Sequence, residues 1–174
     1  MKKYKNRYRI ETTRLQNWDY GANAAYFVTI CTKNREHFFG EINNGKMQLS
    51  EIGKIVENEW LKTFEMRQDM NLQMYEYVIM PNHFHSIIAI GDNPYNTQRD
   101  TKSKNQFGPQ SKNLASIIRG FKIGVTKNAR KINPVFQWQS RFYDHIIRNE
   151  KSFQRISEYI KNNPLNWKED KFNK

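Results

Sequence analysis

One cysteine, Cys31, stands in a chain of 174 residues. An intramolecular disulfide needs two thiols and a multi-cysteine zinc centre needs more, so both are excluded, and the apolar surroundings of Cys31 suggest a buried core thiol. No apolar run reaches the roughly 18 residues of a membrane-spanning helix, and the charged start MKKYKNRYRI leads into nothing like a signal peptide. A soluble, cytoplasmic protein with no membrane partner is expected. The 8 glycines form no phosphate-cradling loop, which argues against a carried nucleotide. Acidic residues are few: 17 Asp and Glu face 29 Lys and Arg, for a net charge of +12.

That excess, beside 11 Phe, 9 Tyr and 4 Trp, points to a polyanionic partner. Cations neutralise phosphates and aromatic faces stack on unpaired bases, so nucleic acid, partly single-stranded, is the natural candidate. The length suits one domain, since domains commonly run about 100–150 residues.

Residues 1–22 read as a basic N-terminal arm, 23–167 as the domain and 168–174 as a C-terminal tail. Tyr26–Thr32 is dense in β-branched and aromatic residues and predicts a strand. Asn43-Asn44-Gly45 between Phe38–Ile42 and Lys46–Leu49 predicts a hairpin. Ser50 is a candidate N-cap for a helix carrying Ile52, Ile55, Val56, Trp60 and Phe64 to about Arg67. Leu72–Met80 and His83–Ile90 are two strands around Pro81-Asn82, read as a hairpin turn or a kink. Residues 91–112 lack an apolar pattern and read as a flexible loop. Leu114, Ile117, Ile118, Phe121 and Val125 stripe a second helix whose remaining positions are basic. Val135–Ile147 is a further β-rich run, and Asn149 or Ser152 caps a last helix ending before Pro164. The order predicts an α+β fold: a ferredoxin-like antiparallel sheet with helices packed mainly on one face.

Chemistry concentrates in two places. His83 and His85 are one residue apart in a strand, so both imidazoles project from one face and can reach one metal ion, while Phe84 points into the core. On the last helix Phe153, Ile156 and Ile160 form the buried stripe, with Tyr159 and Asn163 one turn apart at its border. A phenol oxygen can attack phosphorus, and an amide oxygen can complete an oxygen-preferring metal site. Each also has an ordinary structural reading, as a core histidine pair or a half-buried helix tyrosine.

The run Pro81-Asn82-His83-Phe84-His85 resembles the histidine–hydrophobe–histidine motif of the HUH nucleases. Tyr159-Ile160-Lys161-Asn162-Asn163-Pro164 resembles the tyrosine helix of their single-tyrosine transposase branch. With YFVTICTKNREHFFGEI over 26–42, VIMPNHFH over 78–85 and FYDHIIR over 142–148, the likeness extends to the REP-associated tyrosine transposases, linked to repetitive extragenic palindromes. It covers roughly residues 8–167. The resemblance implies a ferredoxin-like, nucleoid-associated enzyme that binds DNA hairpins and cuts an adjoining single strand through a 5′-phosphotyrosine intermediate. It implies Tyr159 as nucleophile and Mg²⁺ or Mn²⁺ held by His83, His85 and Asn163, in a monomer or a homodimer. Some relatives carry Gln at the position of Asn163, and Asn162 is the alternative if the helix frays.

Arg7, Arg9, Arg14, Arg119, Lys122, Lys127 and Arg130 are candidate DNA contacts. Tyr143 and His145 share a strand face, as a second nucleophile and ligand or as structural or DNA-contacting residues; His37 reads as a surface residue. A non-catalytic hairpin- or single-strand-binding protein is the competing reading, and a water-activating metallohydrolase a third.

Overall fold

The computed structural model describes residues 3–4, 7–8, 14–15, 17–97 and 111–173. Two short strands, β1 (Lys3–Tyr4) and β2 (Arg7–Tyr8), pair with each other. The main sheet comprises β3 (Ala24–Cys31), β6 (Leu72–Met80), β7 (His83–Ile90) and β8 (Tyr143–Ile147). Between β3 and β6 come a hairpin, β4 (Gly40–Asn43) and β5 (Lys46–Leu49), and helix α1 (Glu51–Glu65). Helix α2 (Leu114–Ile132) joins β7 to β8, and α3 (Glu150–Asn162) follows. The sheet order is β6-β7-β3-β8 with every neighbour antiparallel. With one helix in each crossover, this is the ferredoxin-like order.

Local chemistry accounts for the elements. Asn44 and Gly45 both take positive φ, which lets the β4–β5 chain reverse in two residues. Ser50 caps α1 by accepting from the Gly53 N–H at 3.0 Å, and Asn149 caps α3 by accepting from the Ser152 N–H at 2.8 Å. Asn113 and Ser116 form a reciprocal capping box on α2.

Helices α1 and α2 cover one sheet face. Trp60 meets Phe84 and Phe121 edge-on, at ring distances of 5.0 and 5.2 Å, in the centre of this core. Helix α3 covers the other face, where Ile156 and Ile160 pack on Ile87. This division follows from β7, whose alternation sends Phe84 to one face and His83, His85 and Ile87 to the other.

Three expectations need correction. The β-rich run Val135–Ile147 is a strand only over Tyr143–Ile147. Its first half is irregular because Phe136 and Trp138 turn inward to stack with Phe39, and a single bridge links Trp138 to Thr32. Described residues before β3 are docked on the domain: Tyr20 is buried and the Trp18 indole N–H donates to the Tyr26 hydroxyl at 3.1 Å. Cys31 is half-buried, on the same face as His83, and not in the main core. Within the 91–112 loop, Asn93 donates to the carbonyls of Met70 and Gly91, whereas residues 98–110 lie outside the described residues.

Gly53 lets α1 lie against the loop before β4, because a Cβ there would sit 2.2 Å from the Phe39 carbonyl oxygen. Glycine to alanine inside a helix ordinarily stabilises by about 1 kcal/mol. Here Gly53→Ala is expected to destabilise by about 1–3 kcal/mol through overpacking, a reversed sign that urea denaturation would reveal.

Candidate active site

The sheet register sets the site's rows. His85 pairs with Thr29 of β3, and Thr29 in turn pairs with Tyr143 of β8; one step along, His83 pairs with Cys31 and Met80. His83 and His85 stand side by side with ring centres 4.5 Å apart, essentially without solvent exposure. Helix α3 is held over them by its apolar stripe and, at its edge, by Glu76 of β6. That carboxylate accepts from Ser157 Oγ at 3.1 Å and pairs with Lys161 at 2.9 Å.

Buried imidazoles must satisfy their polar atoms, and the partners assign the tautomers. The Asn82 amide nitrogen donates to the carbonyls of Arg35 and Phe172, at 3.1 and 2.8 Å. Its oxygen therefore faces His83 Nδ1 at 2.8 Å, which places a proton on Nδ1 and a lone pair on Nε2. His83 Nε2 is buried with no hydrogen-bond partner. On His85, Nδ1 lies 2.8 Å from Thr29 Oγ1, and Nε2 lies 3.3 Å from the Tyr159 hydroxyl.

Asn163 ends α3 as its C-cap and is 2% exposed, whereas Asn162 faces solvent. The Asn163 amide nitrogen donates to Asp170 Oδ2 at 3.1 Å, while its oxygen is buried with no partner. Two acceptors, His83 Nε2 and Asn163 Oδ1, thus lack a hydrogen bond of good geometry, although the Asn163 side chain is close enough to influence His83 and the Tyr159 phenol. Left bare, such atoms cost free energy; a divalent cation that takes nitrogen and oxygen ligands matches them in chemistry. Among the described residues no group of three or more His, Cys, Asp or Glu is clustered for a metal.

The electrostatics agree with neutral ligands. Burial pushes both imidazoles well below their ordinary value, and the neighbouring His83 pushes His85 further down. Burial also raises the Tyr159 phenol, helped by the charge of Asp170. Tyr159 itself is 41% exposed, so its oxygen faces an open cleft of about 1040 Å³.

The C-terminal segment completes the site and is not a detached tail. Phe172 stacks on His83 at 4.5 Å, Trp167 lies beside it at 6.1 Å, and Asp170 Oδ1 accepts the Phe172 N–H at 2.7 Å. Hydrogen bonds therefore run from Asn163 through Asp170 and Phe172 to Asn82 and His83.

Five of the candidate DNA contacts, Arg14, Arg119, Lys122, Lys127 and Arg130, line one groove along α2 of about 750 Å³. Lys122 is turned inward there, donating to the carbonyls of Gln139 and Arg141, and Arg14 pairs with Asp144 at 3.4 Å. Arg141 and Phe142 line both this groove and the cleft beside Tyr159, so the two adjoin. The side chain of Arg7 and all of Arg9 lie outside the described residues. Thr29, Asn82, Arg141 and Asp170 were not singled out from sequence. The threonine inside YFVTICT and the asparagine before His83 were the available signals; nothing local marks Asp170.

No family model matches the chain. A Haemophilus influenzae protein of uncharacterized function is 42% identical over 163 residues, covering 90% of this chain and 89% of its own length. A second Haemophilus influenzae protein, provisionally named a REP-associated tyrosine transposase, is 33% identical over 88 residues, covering 50% of this chain and 46% of that protein. In fold, the chain matches the structure of a REP-associated tyrosine transposase bound to a REP hairpin with a TM-score of 0.61, at 19% identity over 91% of this chain and 74% of that one. Over half its length the chain is thus similar to a protein provisionally named a REP-associated tyrosine transposase, and it shares the fold of a solved one. The two motifs that carry the resemblance to these transposases, 74 residues apart between His85 and Tyr159, meet here at 3.3 Å. No helix among the described residues is long and apolar enough to cross a bilayer.

The neutral imidazoles predict a pH dependence for the metal-free protein. Unfolded histidines take up protons near pH 6.5 while the folded pair resists protonation, so the unfolded state binds more protons below that value. Stability in EDTA is expected to fall as pH drops from about 7 toward 5, with a flatter Tm profile in His85→Gln.

Proposed function

We propose that this chain is a metal-dependent DNA endonuclease and strand transferase that nicks a single strand beside a hairpin, with Tyr159 as nucleophile. The observation that carries this reading is the Tyr159 hydroxyl 3.3 Å from His85 Nε2, beside the partnerless His83 Nε2 and Asn163 Oδ1. A histidine pair serving only the fold would have both nitrogens satisfied.

His83, His85 and Asn163 would hold Mg²⁺ or Mn²⁺, which when bound supplies positive charge to polarise the scissile phosphate and favour the phenolate. The chain's own residues do the rest. Asn82 fixes the His83 tautomer so that its Nε2 presents a lone pair, and Thr29 orients the His85 ring so that its Nε2 faces Tyr159. Phe172 and Trp167 exclude water from the histidines, while α3 leaves Tyr159 at the cleft mouth. The Tyr159 oxygen forms a bond to phosphorus as the bond to the 3′ oxygen breaks, giving a 5′-phosphotyrosine and a free 3′-OH. One proton leaves the phenol and one arrives at the departing oxygen, so the step is neutral in protons. One phosphodiester is exchanged for another, and a second DNA end can reverse the step with no nucleotide cofactor.

The hairpin itself would be met by the basic groove along α2, which leads into the cleft at Arg141 and Phe142. Phosphate contacts of that kind position a duplex without reading its sequence. The groove is built without any of the metal-side residues, which also favours a second reading: a hairpin-binding protein with no chemistry.

A denaturing gel separates the two. Stem-loop oligonucleotides with single-stranded flanks, incubated with Mn²⁺, are expected to give a covalent adduct that disappears with EDTA, in Tyr159→Phe and in His83→Ala, while Tyr159→Phe still shifts the hairpin. Adduct formed by Tyr159→Phe would remove the nucleophile assignment. A hairpin shift with no adduct under any condition would favour the binding protein.

The bond from Asn163 to Asp170 makes a separate prediction. Asp170 turns the amide so that its oxygen faces the histidines. Asp170→Ala is expected to weaken Mn²⁺ binding roughly 10–100-fold by calorimetry without DNA, the usual cost of losing a ligand's own partner. Asp170→Asn keeps an acceptor oxygen and should fall between that variant and the parent.

A further inference from the structure

Helix α3 lies over β6 and β7 and leaves the β3–β8 half of the same sheet face open. Alternation along the strands determines what that half carries: Phe27 and Thr29 from β3, Tyr143 and His145 from β8, of which Tyr143 lines the cleft. Tyr143, Thr29 and His85 form one row across three neighbouring strands. Two strand spacings, roughly 9.5 Å, therefore separate the backbone of Tyr143 from that of His85.

The Tyr143 ring is 54% exposed yet supported from behind. Phe27 meets it edge-on at 6.3 Å and meets Tyr159 edge-on at 6.2 Å. Phe27 thus contacts both Tyr159 and a second, exposed aromatic that lines the cleft. Arg141, in the loop leading to β8, and Arg155 of α3 line the same cleft on its two sides.

An apolar protein segment would be poorly served by a platform bordered by guanidinium groups in a chain of charge +12. An unpaired nucleotide is served by each part. Its base has a π-face that stacks on an aromatic whatever the sequence, and its phosphates take the cations. Open antiparallel sheets that present aromatics to solvent bind single strands in this way.

We propose that Tyr143 is the stacking platform for an unpaired nucleobase of the strand that enters the cleft, adjacent to the phosphate offered to Tyr159, with Arg141 and Arg155 receiving the flanking phosphates. This deepens the DNA-cleaving reading above and rests on it. Tyr143 is then a binding residue and not a second nucleophile; its ring matters and its hydroxyl does not.

The test uses stem-loops carrying a single-stranded flank, with the fluorescent base 2-aminopurine moved along the flank one position at a time. Binding is measured in EDTA on the full chain carrying Tyr159→Phe, so that nothing is cut. The parent and Tyr143→Phe are expected to quench the probe at the same flank position. Tyr143→Ala and Tyr143→Leu should both lose that quenching and bind the flanked stem-loop roughly five- to a hundredfold more weakly. None of the variants should alter affinity for a stem-loop without a flank, which also reports that they are folded. Unchanged quenching and affinity in Tyr143→Ala and Tyr143→Leu would overturn the subsite alone. Loss of both in Tyr143→Phe would place the contact in the hydroxyl and overturn stacking. Failure of the parent to bind any stem-loop would overturn the DNA reading together with the subsite.

Discussion

Two imidazoles packed side by side out of reach of water impose a requirement that the surrounding structure answers atom by atom. Each ring brings two nitrogens into a low-dielectric interior, where an unpaired polar atom costs about 1–3 kcal/mol. Asn82 takes one and Thr29 another, and these two bonds turn the remaining nitrogens toward α3. The turn between β6 and β7, the register of β3 and the path of the C-terminal segment are all tied to the pair. Asn82 can serve His83 only because its amide hydrogens are held by the carbonyls of Arg35 and Phe172.

The parts of this arrangement governed by periodicity were legible in the sequence. Alternation in HFHSI places Phe84 opposite the histidines, and helical spacing places Ile156 and Ile160 on a buried stripe; both hold in the fold. Capping by Ser50 and Asn149 and the Asn44-Gly45 reversal were equally local. The joining of β7 to α3 was legible only through motif resemblance, since spacing on two separate elements says nothing of how they meet. What was missed is what depends on tertiary packing. Phe136 and Trp138 have strand-like composition but are drawn into an aromatic cluster with Phe39, which breaks the run before Tyr143. Asp170 sits in the unremarkable stretch NWKEDKFNK, where no pattern signals that its carboxylate ends up against Asn163.

The basic surface and the reactive cleft are separate constructions joined by one loop. Helix α2 supplies cations from its outward face while its apolar stripe packs on α1 and the sheet, so charge is gained without loss of core. Lys122 spends its ammonium on the carbonyls of Gln139 and Arg141, and so fixes the loop that carries Arg141 and Phe142 between the groove and the cleft. Arg141 takes a φ of 67° there, an uncommon conformation for a residue with a side chain, and the tethering by Lys122 helps hold it.

The dependence of the histidine pocket on residues 167–173 has a genetic meaning. A premature stop or frameshift after residue 163 would spare every strand of the sheet and all three long helices, along with the groove beside α2. It would remove Asp170 and the rings of Trp167 and Phe172. On the function proposed above, such a lesion would separate recognition from reactivity in a single event. For a protein with that function, loss of residues 164–174 would be a short path from an active element to a resident binder.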